Sequence, residues 1–558
     1  MSGIMHNKFK ELLLPTIFIA MALNITAIVD SIFVSSFIGP SALAALELLE
    51  PIVLFVTVIE WLFGLGGQVM SLNCKGEFDE EGSNIYFSVA MLSTVIVCVI
   101  MLVVCYFNID LLTSFLHAPH DTIPYIKQYA PFFFLTFPLS TLLGVISQFM
   151  RVDGQPRFSS AVIIIANVVN IILDFTFLYY FKMGVGGASL ASFIGEVVAL
   201  LFLTKYYLNP KRTFRFIYSI PLRKWINSLV GIVKTGFPSA SMGLFDVVLV
   251  YIMNRILIGV LSTTGLVAYS ISVDALLLIS ILIIGVADTI TSIIPLYYTQ
   301  KDYYNVKKLV TFAIKITVVC SIAVTIINWI WPQAFLTLYN LNSYASTPIV
   351  VDALKISSLG FFAAAIATTL IFYYEAIDQG VISTVMAAIA ALFGPLAAVF
   401  ISYPILGNTG IWLSSSLGAL MAILVAFIYV KINERRQDEY SGMLFINESL
   451  IEKTKNYVFN RTCSEKDEMF NYLNSLNVDK SDVDCLNLIV NKILSENSED
   501  INVEVLVIDY DDNVNVNIKD EGKDNIFDEI KKEVTLNDNV KYSQTLGFNN
   551  IEYVMTKS

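Results

Sequence analysis

The sequence contains little charge for its length. Only 15% of its 558 residues are charged, whereas 56% are hydrophobic. Typical soluble domains carry about 25% charged residues, so this composition excludes an ordinary soluble protein. It indicates a chain that crosses a membrane several times.

Residues that build disulfide frameworks and metal centres are also scarce. The six cysteines include no Cys-x-x-Cys pair, and of the three histidines only His117 and His120 are close in sequence. A metal held by these two would need further ligands, and isolated cysteines in apolar segments are typical of packing. We therefore predict no disulfide framework and no metal centre at the histidines.

The chain has a series of long apolar segments instead. A helix that crosses the hydrocarbon core of a bilayer needs about 20 residues, and twelve segments reach that length. The predicted spans are residues 11–37, 48–74, 85–107, 123–149, 159–181, 185–207, 232–260, 266–297, 309–331, 352–376, 383–404 and 408–431. The sequence therefore predicts an all-α polytopic membrane body of twelve transmembrane helices.

Lysine and arginine are distributed unevenly between the connections. The short odd-numbered connections contain neither residue, apart from the one with Lys182. Basic residues gather at the even-numbered connections, for example Lys75, Arg157 and Lys307. Because basic loops tend to stay in the cytoplasm, we predict cytoplasmic amino and carboxyl termini in a multi-pass protein of the cell membrane (inner or plasma membrane).

The two halves of this membrane body repeat. At an offset of 223 residues, Pro15 matches Pro238 and Gly184 matches Gly407. Six helices is an even number, so both copies have one orientation and are related by an axis along the membrane normal, as in several transporters. The predicted domains are an amino-terminal lobe at 1–208, a cytoplasmic linker at 209–231, a carboxy-terminal lobe at 232–437 and a soluble domain at 438–558.

Three polar side chains lie deep in apolar segments of the amino-terminal lobe. Asp30 lies in the outer half of the first segment, and Asp174 lies at a similar depth in the fifth. Asn170 precedes Asp174 by one helical turn, so both project from one helix face. Placing an ionisable group at membrane depth costs about 2.5–3.5 kcal/mol, and two carboxylates with an amide carbonyl suit a Na⁺ ion or a shared proton. We predict a cation-coupling site formed by these three residues.

Further acids lie inside the predicted spans and outnumber the bases there. A cavity with excess negative charge attracts cations, and the abundant phenylalanines and tyrosines offer ring faces for organic cations. We predict that these acids bind the substrate. They are Glu60, Glu196, Asp246, Asp274 and Asp288.

Several motifs carry a family resemblance. They are V-D-S-I-F-V-x-x-F-I-G-P-x-A-L-A-A (29–45), R-V-D-G-Q-P-R (151–157), N-V-V-N-I-I-L-D (167–174), M-G-V-G-G-A-S-L-A-S (183–192) and G-F-P-x(7)-D (236–246). With these motifs, residues 1–435 resemble the multidrug and toxin extrusion (MATE) family. The resemblance implies twelve helices in two six-helix lobes and cation-driven export of organic cations, which is transport and not enzymatic catalysis.

The resemblance also assigns roles to individual residues. Asp30, Asn170 and Asp174 match the family's cation site in the amino-terminal lobe, and Asp246 matches an acid of helix 7. The family often has another acid in helix 10, but residues 361–374 contain none. This departure favours the amino-terminal site over a second one in the carboxy-terminal lobe.

The last part of the chain has a different composition. Residues 441–558 contain 23 acidic and 12 basic residues, which account for most of the net charge of −12. Their pattern predicts an α+β domain, with helices begun by capping boxes at Ser464 and Ser481. The predicted elements are helices near 465–476 and 482–496 and strands at 501–510, 514–518, 541–545 and 551–555.

This domain has a weaker resemblance of its own. Its order of elements, with Asp520 and Gly522 in a D-x-G motif, resembles the histidine-kinase-type (GHKL) ATP-binding domain of anti-sigma factors. The resemblance implies that these two residues bind adenine, but the helix at 482–496 lacks the E-x-x-x-N pattern that would bind metal. We predict a degenerate domain that does not hydrolyse ATP and that regulates the body or contacts a cytoplasmic protein.

Three functions are compatible with the sequence. The first is a monomeric antiporter that exports organic cations by alternating access of its lobes, in exchange for H⁺ or Na⁺, with no other cofactor and no nucleic-acid partner. The second is a flippase for lipid-linked precursors, a class that usually has a basic cavity. The third is a membrane sensor that signals through its soluble domain. The acidic interior favours the first over the second, and the set Asp30, Asn170 and Asp174 favours it over the third.

Overall fold

The structure is a computed structural model. The residues that it describes are 3–116, 118, 120, 122–210, 212–332, 348–434, 440–459, 465–496, 502–522, 530 and 539–557. They form a helical body in two lobes and a small α+β domain, which we call the tail domain (described residues 448–557).

Within the described residues, the amino-terminal lobe contains eight helices. They are α1 Gly3–Phe37, α2 Pro40–Glu47, α3 Glu50–Gly76, α4 Glu80–Phe107, α5 Ile109–Phe115, α6 Ile123–Val152, α7 Pro156–Phe175 and α8 Val185–Tyr207. A π-helical turn, Thr176–Tyr180, continues α7. Such turns widen a helix locally and are frequent near functional sites, and this one follows directly after Asp174.

The carboxy-terminal lobe continues the count in the part of the chain that the structure describes. Its helices are α9 Leu222–Thr291, α10 Ile294–Thr299, α11 Tyr303–Ile330, α12 Pro348–Ser358, α13 Phe361–Ala376, α14 Gly380–Ala388, α15 Gly394–Leu406, α16 Asn408–Trp412 and α17 Ser414–Glu434. A second π-helical turn, Ile389–Phe393, joins α14 to α15.

The described helices agree with the predicted membrane spans. By length and hydropathy, ten helical stretches of the described residues could cross a membrane, and α12 with α13, bent by 43°, gives an eleventh; two of the ten, Leu222–Leu257 and Ile279–Thr299, begin within α9. The first predicted span, 11–37, lies within α1, which has 35 residues. The prediction of a polytopic helical body is therefore confirmed.

One predicted boundary is wrong. We expected a break near residues 261–265, between the seventh and eighth spans, but the structure assigns helix to all 70 residues of α9. Thr and Gly in that stretch only lower helix propensity, and α9 contains no proline after Pro238 that would remove a backbone donor. Leu249 and Met253 share a hydrophobic cluster with Tyr269, so both parts of α9 contribute to one core.

The internal repeat is visible in the turns that begin helices. Asp79 and Asp302, 223 residues apart, each accept a hydrogen bond from the backbone amide three residues later, at 2.8 and 3.1 Å. Gly184 and Gly407 have φ of 66° and 58° and precede helices. Such φ values favour glycine, so the repeat preserves backbone geometry as well as sequence.

The hydrophobic cores are arranged asymmetrically along the bundle. On the side where the tail domain lies, which we call the tail side, one core contains residues of both lobes, for example Leu72 and Phe149 with Ile290 and Tyr374. Away from the tail, one cluster contains carboxy-terminal residues and two others contain amino-terminal residues. The lobes are therefore packed together on the tail side.

The tail domain is an antiparallel sheet covered by helices. Its elements are α18 Glu448–Glu452, β1 Thr454–Phe459, α19 Glu465–Ser475, α20 Lys480–Glu496, β2 Val503–Asp509, β3 Asn513–Asp520, β4 Val540–Thr545 and β5 Phe548–Thr556. The strand order is β1-β2-β3-β5-β4, and every pair is antiparallel. The predicted α+β domain is confirmed, with boundaries within a few residues.

The capping of α20 differs from the prediction. The side chain of Asp479 accepts a hydrogen bond from the Ser481 amide at 3.0 Å, and the helix begins at Lys480. Asp479 therefore caps this helix in place of Ser481, because an aspartate two residues earlier offers the same acceptor to the first turn. The other predicted cap, Ser464, lies outside the described residues.

Both faces of the sheet are buried. Val505 and Val507 of β2 pack with α19 and α20 in the core of the tail domain. Leu506 and Ile508, which alternate with them, pack with Tyr303 of α11. Since side chains alternate between the faces of a strand, one face carries the domain's own core and the other lies on the membrane body.

Candidate cation site

The three predicted coupling residues of the amino-terminal lobe lie together. The side chains of Asp30 on α1 and Asp174 on α7 hydrogen-bond to each other. The amide nitrogen Nδ2 of Asn170 donates to Asp174 Oδ2 at 3.1 Å. Asp174 is 1% exposed and Asn170 is 5% exposed. Two carboxyl groups in contact in such a buried place repel unless a cation or a proton lies between them.

Each of the three side chains also has one oxygen atom without a hydrogen-bond donor. In the part of the chain that the structure describes, Oδ1 of Asp30, Asn170 and Asp174 are all buried and unpartnered. Buried polar atoms normally have partners, so these oxygens are candidates to hold an ion. Carboxylate and amide oxygens are hard ligands, and they fit Na⁺.

The sequence analysis missed three residues that surround this site. Ser192 on α8 accepts a hydrogen bond from Asn170 Nδ2 at 3.0 Å, and this orients the amide so that its oxygen is left over. A Cβ atom on Gly195 would lie 2.7 Å from the Ala166 carbonyl oxygen, so glycine is needed where α8 crosses α7. Thr26, one turn before Asp30, has a buried hydroxyl with no partner among the described residues. Of these three residues, only Thr26 could have been identified from the sequence, because it lies four residues, or about one helical turn, before Asp30.

Two further predicted acids lie deeper toward the tail side. Glu60 on α3 and Glu196 on α8 are near enough to interact electrostatically. A Cβ on Gly144 would overlap the carboxyl group of Glu60, so that glycine makes room for the acid. Oε2 of Glu196 is buried with no partner in the described residues. These acids form a second negative region within the same lobe.

The remaining predicted acids belong to the carboxy-terminal lobe and are separated from one another. Asp246 on α9 is exposed, and it interacts electrostatically with Tyr269. Asp274 lies in α9 as well, but its side chain is outside the described part of the structure. Asp288 is paired with Arg151 of the other lobe, at 2.5 Å from Nη1. The structure thus gives Asp288 a protein partner that the sequence analysis did not anticipate.

Comparison with known proteins shows what the membrane body is similar to. A family model described as MatE matches residues 15–176. The Multidrug export protein MepA of Staphylococcus saprophyticus is 25% identical over 405 residues, which are 71% of this chain and 88% of that protein. MepA of Staphylococcus aureus (strain MSSA476) is 25% identical over 397 residues, 69% of this chain and 85% of that one. The membrane body of this chain is therefore similar to transporters of the MATE family.

Solved structures share the fold of this membrane body. One is described as the outward-facing conformation of a multidrug resistance MATE family transporter of the MOP superfamily. It has a TM-score of 0.69 and 20% sequence identity, and the match covers 76% of this chain and 95% of that chain. A MOP superfamily transporter from Pyrococcus furiosus, whose binding pocket is described as having reverse polarity, has a TM-score of 0.67 and 22% identity and covers 77% of this chain and 96% of its own.

The structure explains the local geometry of the R-V-D-G-Q-P-R motif. Its first residue, Arg151, is 3% exposed and pairs with Asp288. Asp153 accepts from the Tyr206 hydroxyl at 2.8 Å and from the Thr213 amide at 3.0 Å, which fastens the linker between the lobes. Gly154 has a φ of 78°.

The D-x-G segment of the tail domain has partners within the domain. Oδ1 of Asp520 accepts from the Gly522 amide at 2.7 Å, and Oδ2 accepts from Asn549 Nδ2 at 2.8 Å. Asp520 is 1% exposed. These bonds supply a structural role for the motif, and adenine binding by Asp520 and Gly522 stays a prediction.

Proposed function

We propose that this protein is a secondary antiporter of the plasma membrane that exports organic cations and drugs in exchange for H⁺ or Na⁺. The observation that carries the proposal is the contact between Asp30 and Asp174 beside Asn170. The relatives named as multidrug export proteins support the substrate class. Export of this kind breaks no covalent bond, so the protein is a transporter and not an enzyme.

The ion is coupled to transport through the two lobes. A bound ion shifts an equilibrium between conformations only by its difference in affinity for them. The site lies in the amino-terminal lobe, on the side away from the tail domain. On that side, the hydrophobic clusters of the two lobes are separate. We propose that an ion entering from that side changes the packing of α1 against α7 and so favours closure there and opening on the tail side.

The substrate binds through the acids that line the interior. Asp246 is exposed in α9, and Glu60 and Glu196 lie in the amino-terminal lobe. Acidic groups in a low-dielectric cleft concentrate cations, and aromatic faces bind flat cationic rings. The same excess of acid disfavours an anionic lipid-linked precursor as substrate.

We propose that the tail side is cytoplasmic, with both termini there. The basic connections support this orientation. Single cysteines replacing Tyr218 in the linker and Asp110 in α5, both exposed, should be labelled from opposite sides of intact cells in a cysteine-free background. Labelling of both positions by an impermeant maleimide from outside would contradict the orientation.

The function is tested by ethidium efflux from proteoliposomes under an imposed pH gradient or an imposed Na⁺ gradient. Asp30→Asn and Asp174→Asn should abolish gradient-driven efflux, because a neutral site no longer attracts the driving cation. Expression should stay near normal, since neutralising a buried acid removes a burial cost. The matched control is Asp110→Asn, an exposed aspartate paired with Lys127, which should pump normally.

Two results would overturn the proposal. Normal efflux by both site variants under every gradient would place the coupling site elsewhere, with Glu60 and Glu196 as the next candidates. A wild-type protein that moves no organic cation under either gradient would favour the flippase or sensor functions.

A further inference from the structure

The tail domain lies across the boundary between the two lobes. In β4 and the turn after it, the Leu546 amide donates to the Val152 carbonyl at 2.7 Å, and Lys75 donates to the Gln544 carbonyl at 3.2 Å. In β3, Lys519 is 3.3 Å from Asp302. Val152 and Lys75 belong to the amino-terminal lobe, whereas Asp302 belongs to the carboxy-terminal lobe. One continuous sheet therefore contacts both lobes.

The contact with the carboxy-terminal lobe is extensive and buried. Asn305 Nδ2 donates to Glu504 Oε1 at 2.8 Å, and the Lys519 ammonium lies 3.9 Å from the centre of the Tyr297 ring. The side chains of Lys519 and Asp302 are 1% and 0% exposed. A buried charge that loses its partner is costly, so this contact resists separation.

The segment that leads into the tail domain is fastened to the same lobe. Three tyrosine hydroxyls, at the tail-side ends of α10 and α13, donate to consecutive carbonyl oxygens of this segment. The bonds run from Tyr374 to Met443 at 2.8 Å, from Tyr373 to Leu444 at 2.6 Å and from Tyr298 to Phe445 at 2.6 Å. Segment and domain thus form one unit with the carboxy-terminal lobe.

The contact with the amino-terminal lobe is of a different kind. It includes hydrogen bonds to backbone carbonyls, a close approach of Gly154 to Gly547, an ion pair between Lys8 and Glu521 at 3.3 Å, and packing of Leu546 and Phe548 in the tail-side core. Polar groups of this sort regain their bonds from water when a surface separates. The side chains of Lys8 and Glu521 are 10% and 26% exposed, whereas those of Lys519 and Asp302 are 1% and 0% exposed, so the amino-terminal ion pair separates at lower cost.

The sheet face that meets the body is rich in polar residues, which lie beside the apolar Leu506, Ile508 and Phe548. It carries side chains that are almost fully buried, namely Glu504, Asn517, Lys519, Ser543, Thr545 and Asn550. A permanent interface is usually apolar, whereas a polar surface stays soluble when it is exposed. The composition of this face fits a domain that docks and undocks.

We propose that the tail domain is a latch that holds the lobes together on the tail side and must release the amino-terminal lobe before that side can open. The inference rests on the proposed alternating access, because the lobes separate on the tail side only in that cycle. A rigid sheet fixed to the carboxy-terminal lobe cannot follow the other lobe, so the contacts of Val152, Gly154 and Lys8 break first. Release of the latch would regulate the rate of export.

The charge pair Lys8–Glu521 offers the sharpest test. In a cysteine-free background, spin labels at positions 157 and 311 report the separation of the lobes, since Arg157 and Thr311 are exposed on different lobes. Glu521→Lys and Lys8→Glu should each raise the tail-side-open population and the ethidium turnover by at least about fivefold, the lower end of typical coupling between sites. The double swap should restore both values toward wild type.

Two further variants complete the test. Lys466→Ala changes a partly exposed lysine of α19 that contacts Asn491 and Phe470 of its own domain, and it should leave separation and turnover unchanged. Truncation after residue 436 should open the tail side at least as much as either single change. The latch is overturned if the truncated protein shows the same separation as the full chain, or if the single changes lower turnover and the swap restores it. The distance between the two spin labels can be measured without drug export, so failure of the latch can be distinguished from failure of the proposed function.

Discussion

Arg151 of the amino-terminal lobe and Asp288 of the carboxy-terminal lobe form an ion pair in the core of the tail side. Arg151 Nη1 lies 2.5 Å from Asp288 Oδ2, and Nη2 lies 3.3 Å from Oδ1. Arg151 also donates to Thr16 at 3.2 Å and to Gln148. A pair that joins two lobes in this way would have to break in the proposed alternating access, so its strength adds to the conformation that is closed on the tail side.

Breaking this pair on one side should destabilise the protein. Asp288→Asn leaves a buried arginine uncompensated, which typically costs about 3–5 kcal/mol, while Arg151→Met with Asp288→Leu should cost less. Thermal unfolding in detergent measures both. The matched control is Glu81→Gln, because Glu81 and Lys224 also join the lobes but are exposed, and such pairs are worth about 0–1 kcal/mol. Equal shifts for Asp288→Asn and Glu81→Gln would contradict the role of the pair.

The closed side also depends on a glycine contact between α3 and α9. A Cβ on Gly236 would lie 3.0 Å from the Leu62 carbonyl carbon and 3.1 Å from the Gly66 amide nitrogen. Backbone atoms cannot yield as a flexible side chain can, so Gly236→Ala should push the lobes apart and cost about 1–3 kcal/mol.

A neighbouring glycine provides the comparison. A Cβ on Gly231, five residues earlier in α9, would meet its nearest atom at 3.5 Å. Gly231→Ala should therefore be neutral or stabilise by up to about 1 kcal/mol through helix propensity. Unfolding temperatures of the two variants in detergent should move in opposite directions or differ by several degrees. A loss of stability in Gly231→Ala as large as in Gly236→Ala would rule out the specific contact.

The sequence predicts those parts of the candidate cation site that depend on the spacing of residues along one helix. Asn170 and Asp174 are one turn apart, and the depth of Asp30 follows from the length of its apolar segment, so their meeting could be anticipated. The partner of Arg151 is 137 residues away, and nothing in one sequence shows the register between α6 and α9. For the same reason, the hydrogen bond between Asn170 on α7 and Ser192 on α8 could not be predicted from the sequence. The docking of the tail domain on the membrane body could not be predicted either.

Asp246 should affect the binding of cationic substrates more than the coupling ion. It is exposed in α9 and is separate from the contact of Asp30 with Asp174. Asp246→Asn should raise the KM for ethidium by about tenfold, which corresponds to ~1.4 kcal/mol, with a smaller change in kcat. The control is Asp352→Asn, an exposed aspartate of α12. A fall in kcat at unchanged KM would assign Asp246 to coupling instead.

The identity of the driving ion can be read from Asn170. Its Nδ2 donates to Asp174 and to Ser192, which leaves Oδ1 without a donor among the described residues. If the ion is Na⁺, this oxygen is a ligand, and contacts with a charged group are worth about 1.5–3 kcal/mol. Asn170→Ala should then lower Na⁺-driven efflux by about tenfold or more. If the ion is H⁺, the proton is held by the two carboxyl groups, and the same change should lower efflux driven by a pH gradient only a few-fold.

The variant Ser192→Ala distinguishes loss of an ion ligand at Asn170 from loss of the orientation of the Asn170 amide. It removes the acceptor that orients Asn170 but keeps the amide oxygen itself. Under Na⁺ coupling it should therefore be milder than Asn170→Ala, since the ligand is retained, whereas under H⁺ coupling both should be mild. Efflux from proteoliposomes under each gradient separately gives the four rates. If Ser192→Ala and Asn170→Ala abolish efflux equally under both gradients, Asn170 acts only by positioning Asp174, and the ion is bound by the carboxylates alone.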